Sequence, residues 1–183
     1  MDEILLSQCC DNALLDFKKG KRSDLILDLT EYEKSKGEYR ECISSFVAFS
    51  MGSTANINLV YNNTLVNANV GDSLSFLFKN GTALLLNNEH KTSMKSESDR
   101  IIKSGSFIHN NRINGKLNLT RAVGDFMFKD QRLRQHDQAV TVYPEINTFQ
   151  LDKSCEFLIS ACDGVWDCVE PQKLCEYISR RLS

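Results

Sequence analysis

Apolar and polar positions divide the chain near residue 52 into a part of helical period and a part of strand-like alternation. Over residues 1–50, Ile4, Leu5, Leu14, Leu15 and Phe17 recur near the helical period, interrupted by the Cys9-Cys10 pair. Between Asp24 and Lys36, Leu25, Ile26, Leu29 and Tyr32 share one helical face. Ser23 or Asp24 is the candidate cap, and Gly37 the candidate stop, with Lys34 and Lys36 suiting the negative C-terminal end of the helix dipole. From Ser53 onward, Thr54–Val60, Thr64–Val70, Ser73–Phe78 and Thr82–Leu86 are short apolar or alternating runs. They are separated by Tyr61-Asn62-Asn63, Gly71-Asp72 and Lys79-Asn80-Gly81, all hairpin chemistry, so the pattern predicts an antiparallel meander. Residues 87–95 are polar and read as a loop. Residues 96–105 carry a cap candidate, an acid in the first turn and a glycine stop, which predicts a short helix.

Farther on, Phe107–His109 and Lys116–Leu119 flank Asn114-Gly115, a further hairpin signal. Ala139–Val142 and Ile146–Leu151 read as strands on either side of Pro144, and Phe157–Ala161 as a buried strand that ends at Cys162-Asp163-Gly164. Pro171 suits the first turn of a last helix, with Leu174, Tyr177, Ile178 and Leu182 on one face. The chain has no internal repeat, low-complexity tract or linker, so a single domain over residues 1–183 is expected.

Composition narrows the class. Hydrophobic residues at 42% and charged residues at 25% are ordinary for a globular protein, and a chain of 183 residues is long enough to bury a core without staples. The 22 basic residues against 24 acidic give a net charge of -2, and the clusters Lys18, Lys19, Lys21, Arg22 and Arg180, Arg181 are too short for a nucleic-acid face. The start, Met1-Asp2-Glu3-Ile4-Leu5-Leu6, is acidic and only briefly apolar, unlike a signal peptide or a membrane span; a cytoplasmic or nuclear setting is the expectation. The seven cysteines are odd in number and form no C-x-x-C pair, so zinc and disulfide frameworks are disfavoured. In a reducing compartment most are expected to be small buried hydrophobes.

Candidate chemistry rests on carboxylates. Asp72, Asp163 and Asp167 fall at strand ends or in turns, a setting that suits hard cations such as Mg²⁺ or Mn²⁺, although each taken alone reads better as a turn former and the argument depends on their context. The spacing Cys175-x5-Arg181 matches a cysteine phosphatase only in outline, because the residues between lie in an amphipathic helix that uses their amides; Cys175 is expected to pack in the core. His90, His109 and His136 are scattered and are expected in surface or loop positions. Trp166 is expected to anchor the core beside the Asp163 turn, and Arg121 to pair with Asp125.

Several stretches, in order, resemble the PP2C-type metal-dependent protein phosphatases. Gly52-Ser53-Thr54-Ala55 and Ala68-Asn69-Val70-Gly71-Asp72-Ser73 resemble a strand and turn of that family. Glu89-His90-Lys91 is similar to its Asp-His-Lys-Pro, with Thr92 in place of the proline. Asp99-Arg100-Ile101 with Gly105, Arg112-Ile113-Asn114-Gly115 and Leu119-Thr120-Arg121-Ala122-Val123-Gly124-Asp125-Phe126 follow, and the stretch from Glu156 to Asp167 is close to the strongest family motif. The resemblance implies an α+β fold, an antiparallel β-sandwich flanked by helices, with terminal elements missing. It implies hydrolysis of phosphoserine or phosphothreonine in a phosphoprotein substrate by a water activated on Mn²⁺ or Mg²⁺. By position, Asp163 matches the catalytic aspartate that binds the paired metals, and Asp72, Asp163 and Asp167 match the ligands of a third metal. The family's upstream arginine and glutamate, its Asp-Gly-His-Gly-Gly and its last metal aspartate have no counterpart in the sequence. Two expectations follow: open sheet edges that favour a homodimer exchanging elements, and, as an alternative to an enzyme, a pseudophosphatase serving as a binding module.

Overall fold

The structure is a computed structural model that describes residues 51–182. The helical segments expected within residues 1–50 lie outside the described residues. In the strand-rich part, local turn chemistry sets the hairpins. Strand β1 is Gly52–Ser53, β2 Ala55–Tyr61, β3 Thr64–Val70, β4 Leu74–Lys79 and β5 Thr82–Leu85. The β2–β3 turn places Asn62 and Asn63 at φ 45 and 59, and the β4–β5 turn places Asn80 and Gly81 at φ 49 and 74. Paired positive φ values at a two-residue loop give the backbone twist that antiparallel strands require.

The expected meander is corrected at Gly71-Asp72. β3 and β4 do not pair; the chain crosses there from one sheet to another, giving the orders β2-β3-β9 and β10-β4-β5, in which β9 is Glu145–Gln150 and β10 Cys155–Ala161. Gly71 makes the crossing at φ 110, and a Cβ there would stand 2.3 Å from Thr54 Cγ2, so backbone freedom and close approach both call for glycine. All ladders in the two sheets are antiparallel.

The two sheets face one another through a layer that is polar at one end and apolar at the other. Leu65, Leu77 and Leu86 are buried together, joined by Phe149, Leu151 and Leu158. Beside them lie Asn56, Asn58, Asn67 and Asn69 of β2 and β3, meeting Ser75 of β4 and Ser160 of β10. Asn58 Nδ2 donates to Ser75 Oγ at 3.0 Å and to Ser160 Oγ at 2.8 Å, and Asn56 Nδ2 donates to Asn87 Oδ1 at 3.1 Å. Because side chains alternate along a strand, this inward polar row turns Ile57, Leu59 and Tyr61 outward, where they are exposed together with Ile146.

Helix α1 is Lys95–Lys103, as its sequence pattern predicts, and helix α3 is Pro171–Leu182. Between them, β6 (Ile108–His109) and β7 (Arg112–Ile113) form a tighter hairpin than expected, with Asn110-Asn111 as its turn; Asn114-Gly115 turns the chain immediately after it. β8 (Val123–Gly124) pairs with β1. Residues 139–142 are not a strand: Thr141 makes only a single bridge, to Arg121. Instead Ala139 and Val140 pack with Ile101, Ile113 and Ala122 in a second core under α1. Among the described residues β10 is an edge strand and only half-buried, not the buried strand expected, because β4 takes the central place. Helix α2, Asp163–Trp166, is a single turn begun directly after β10. No helix among the described residues is long and apolar enough to cross a membrane.

Candidate functional site

The crossing at Gly71-Asp72 and the exit from β10 lie at the same end of the β10-β4-β5 sheet. Its last ladder pair is Ala161↔Leu74; Asp72 stands two residues before Leu74 and Asp163 two after Ala161. The exit turn is fixed by Trp166, whose Nε1 donates to Ala161 O at 2.8 Å and whose ring lies 5.0 Å from that of Phe76. Trp166 therefore anchors α2 to the sheet, as the sequence led one to expect, and holds Asp163 and Asp167 on an exposed turn.

Asp72 is in a different setting. It is buried, and its carboxylate accepts from Lys91 Nζ. Behind it, Thr54 and Ser73 share a hydrogen bond of 3.0 Å between hydroxyls. His90 lies in a loop, one of the two settings expected, but is fully buried and not on the surface. Its Nδ1 accepts from the Gly71 N–H at 3.0 Å, so the neutral ring carries its proton on Nε2, which lies 3.2 Å from Glu145 Oε2 in an alignment short of a hydrogen bond. Burial, helped by the charge of Arg121, holds the His90 pKa below its ordinary value against the pull of Glu97 and Glu145. Burial pushes Glu145 upward, but hydrogen bonds from Asn147 and Asn88 outweigh it and leave the carboxyl below its usual value.

Arg121 does not pair with Asp125. It pairs with Glu97 of α1, Nη2 to Oε1 at 2.7 Å, and Arg100 and Thr120 complete the shell of that fully buried acid. Burial raises Glu97, yet the hydrogen bonds from Arg121, Arg100 and Thr120 prevail and bring its pKa down to about 2. The sequence signal for this network was the i, i+3 pair Glu97 and Arg100, which was missed because a charged pair on a short helix ordinarily faces water. Asp125 is left buried, and burial raises its carboxyl. It adopts φ 51 and stands so close to Gly52 that a Cβ there would meet Asp125 Oδ2 at 1.9 Å.

Carboxylates at one strand end suit a hard divalent cation in kind. In arrangement they do not fit one: among the described residues no three His, Cys, Asp or Glu side chains gather closely enough to hold a metal ion, and Asp72 is already engaged by Lys91. His109 and His136 are exposed. Cys175 is fully buried, with its thiol pushed up by burial, and so packs as expected; Cys162 and Cys168, by contrast, are exposed and Cys155 half-buried, because they sit at an edge strand and a short surface turn.

Two facing antiparallel sheets flanked by helices, with aspartates where the chain leaves one sheet end, define an α+β sandwich with an acidic site at one end. Residues 6–183 match the Protein phosphatase 2C family, and the chain belongs to it. It is 45% identical over 140 residues to Probable protein phosphatase 2C 11 of Oryza sativa subsp. japonica, covering 76% of this chain and 39% of that protein. It is 41% identical over 133 residues to Protein phosphatase 2C homolog 2 of Hypocrea jecorina, covering 72% of this chain and 30% of that protein. The crystal structure of a phosphatase from a pathogenic strain of Toxoplasma gondii aligns with a TM-score of 0.54 at 33% identity, over 57% of this chain and 33% of that one. A C. elegans sex determining protein aligns with a TM-score of 0.62 at 23% identity, over 90% of this chain and 40% of that one, and shows the fold alone. The chain spans about 39% of the length of the rice relative.

Proposed function

We propose that the chain serves in the hydrolysis of phosphoserine or phosphothreonine in proteins. The observation that carries this reading is family membership, joined to the placement of Asp72 and Asp163 at one sheet end by the β4–β10 register. Family chemistry is metal-dependent, with Mn²⁺ or Mg²⁺ as the candidate ions. Asp163, with Asp167 one turn on, is the residue we assign to catalysis and metal binding, and the remaining donors must come from outside the described residues. A reducing, cytoplasmic setting belongs to the same proposal and is supported by the free thiols of Cys155, Cys162, Cys168 and Cys175. The test is hydrolysis of p-nitrophenyl phosphate with Mn²⁺, Mg²⁺ or EDTA. Metal-dependent turnover lost in Asp163→Asn and retained in Cys175→Ser is the expected result; turnover that survives EDTA and is lost in Cys175→Ser would reverse the assignment.

A second reading, a pseudophosphatase that binds without turnover, is favoured by one specific observation: the Asp72 carboxylate is engaged by Lys91. Folded protein with no turnover above the EDTA blank would make it the better account. Under either reading we infer a homodimer, supported by the outward apolar positions Ile57, Leu59, Tyr61 and Ile146 on a sheet in which β2 is an edge strand among the described residues. Light scattering at tens of micromolar should give twice the chain mass; a monodisperse monomer would contradict it.

A further inference from the structure

Among the described residues β5 ends the β10-β4-β5 sheet, and it is short and apolar, with Leu84 and Leu85 exposed. Its backbone groups alternate between β4 and the edge. The turn at Asn80-Gly81 sets Lys79 opposite Thr82, and past the far end the Leu86 N–H donates to Ser75 O at 2.9 Å. Thr82 and Leu84 therefore bond to β4, while Ala83 and Leu85 direct their amides away from it. An apolar edge of this kind is a template for a further strand.

Helix α3 meets that template with one side chain. Gln172 Oε1 accepts from the Ala83 N–H at 2.8 Å, and Gln172 Nε2 donates to Gly81 O at 2.8 Å. The carbonyl before Thr82 and the N–H after it are thus bonded to one amide, as a single residue of a parallel neighbouring strand would bond them. Nε2 also donates to Glu176 Oε1 at 2.8 Å, one turn on along α3. These partners fix the orientation of the amide, since reversing it would set Nε2 against an N–H and Oε1 against two oxygens. Cys175, three residues on and fully buried, holds the same face of α3 against the sheet.

We propose that Gln172 closes the β5 edge to strand addition, and that without it two copies of the chain pair there, β5 against β5 about a two-fold axis. The occupant is a second copy because the edge complements itself. Thr82-Ala83-Leu84-Leu85 carries no charge that would repel its own copy, and an antiparallel pair of β5 strands sets the exposed leucines of the two copies together. The inference goes beyond the proposed function and needs neither turnover nor the dimer inferred above, because it is read as a change from the unaltered protein. A monomer opened at β5 would become a dimer, and a dimer opened at a second edge would extend into chains.

The experiment is light scattering of the full chain with amide hydrogen exchange, and far-UV circular dichroism as the check on folding. Compared are the unaltered protein, Gln172→Ala, Leu85→Lys and the Gln172→Ala/Leu85→Lys double variant. Gln172→Ala is expected to show at least about twice the mass of the unaltered protein, and the double variant to return to the unaltered mass, because a lysine on an edge opposes pairing. Exchange is read in the double variant against Leu85→Lys, where association does not mask it. There the Ala83 amide should exchange roughly tenfold faster or more, and the Leu84 amide, bonded to β4, at nearly the same rate. An unchanged mass in Gln172→Ala, a rise in mass that Leu85→Lys does not reverse, or unchanged exchange at Ala83 would overturn the proposal. Should Gln172→Ala fail to fold, Gln172→Ser, too short to reach β5, is read by the same criteria.

Discussion

Glu97 shows how one residue ties the second core to the site. It is fully buried on α1, and its carboxylate gathers Arg121, Arg100 and Thr120, from the loop that follows β7 as well as from its own helix. Removing a partner from such a cluster leaves buried guanidinium donors unpaired, at a cost of roughly 3 kcal/mol or more. Its pKa of about 2, against an ordinary 4.5, gives the pH dependence. The folded state binds fewer protons than the unfolded one between those values, so this stability is fully present above about 4.5. It is lost as the pH falls from there through 2, on the order of 3 kcal/mol in all. Urea unfolding of unaltered protein and Glu97→Gln should therefore differ by roughly that amount at pH 7, and the difference should shrink as the pH is lowered through 4. A difference independent of pH would place the stabilisation elsewhere.

Among the elements, the two sheets are joined by side-chain amides where a sandwich ordinarily packs hydrocarbon. Asn56 is the hub: its Nδ2 donates to Asn69 Oδ1, Ser73 O and Asn87 Oδ1, and its Oδ1 accepts from Asn58, Asn67 and Ser75. Asn67 donates to Asn56 and Asn58, while its own Oδ1 is buried without a partner. Each buried group orphaned by truncation costs about 1–3 kcal/mol. Asn56→Ala should therefore destabilise by roughly 2 kcal/mol or more, and Asn67→Ala by less, in equilibrium unfolding. Equal losses would mean that the network does not act through its hydrogen bonds. This layer was hidden in the sequence. The runs Thr54–Val60 and Thr64–Val70 were legible as strands because Asn62-Asn63 supplies positive φ, but their asparagines alternate with Ile57, Leu59 and Val66 just as surface positions would. Periodicity gives the alternation and not which face is buried, and so the row that faces inward was the polar one.

For the whole molecule, the turn and helix signals carried most of the fold. Asn80-Gly81 closes a hairpin, the acid-led segment ending at Gly105 is α1, and Pro171 opens α3. What failed was the long-range choice at Gly71, where the same glycine that closes a hairpin elsewhere lets the chain change sheets, and at residues 139–142, which pack against α1 instead of pairing. Asp72 and Asp163, the candidate residues that family order singles out, leave the same sheet end. The buried His90, the Lys91 ion pair and the exchange of Asp125 for Glu97 as the partner of Arg121 depend on contacts distant in sequence, which no local pattern encodes.

The most direct test of the account is the initial rate of phosphate release from a phosphothreonine peptide and its phosphotyrosine counterpart, with Mn²⁺ or with EDTA, by the unaltered protein and Asp163→Asn. The account predicts Mn²⁺-dependent release from the phosphothreonine peptide, little from phosphotyrosine, and loss of the former in Asp163→Asn. Release that ignores EDTA and the Asp163 substitution, or that prefers phosphotyrosine, would contradict it.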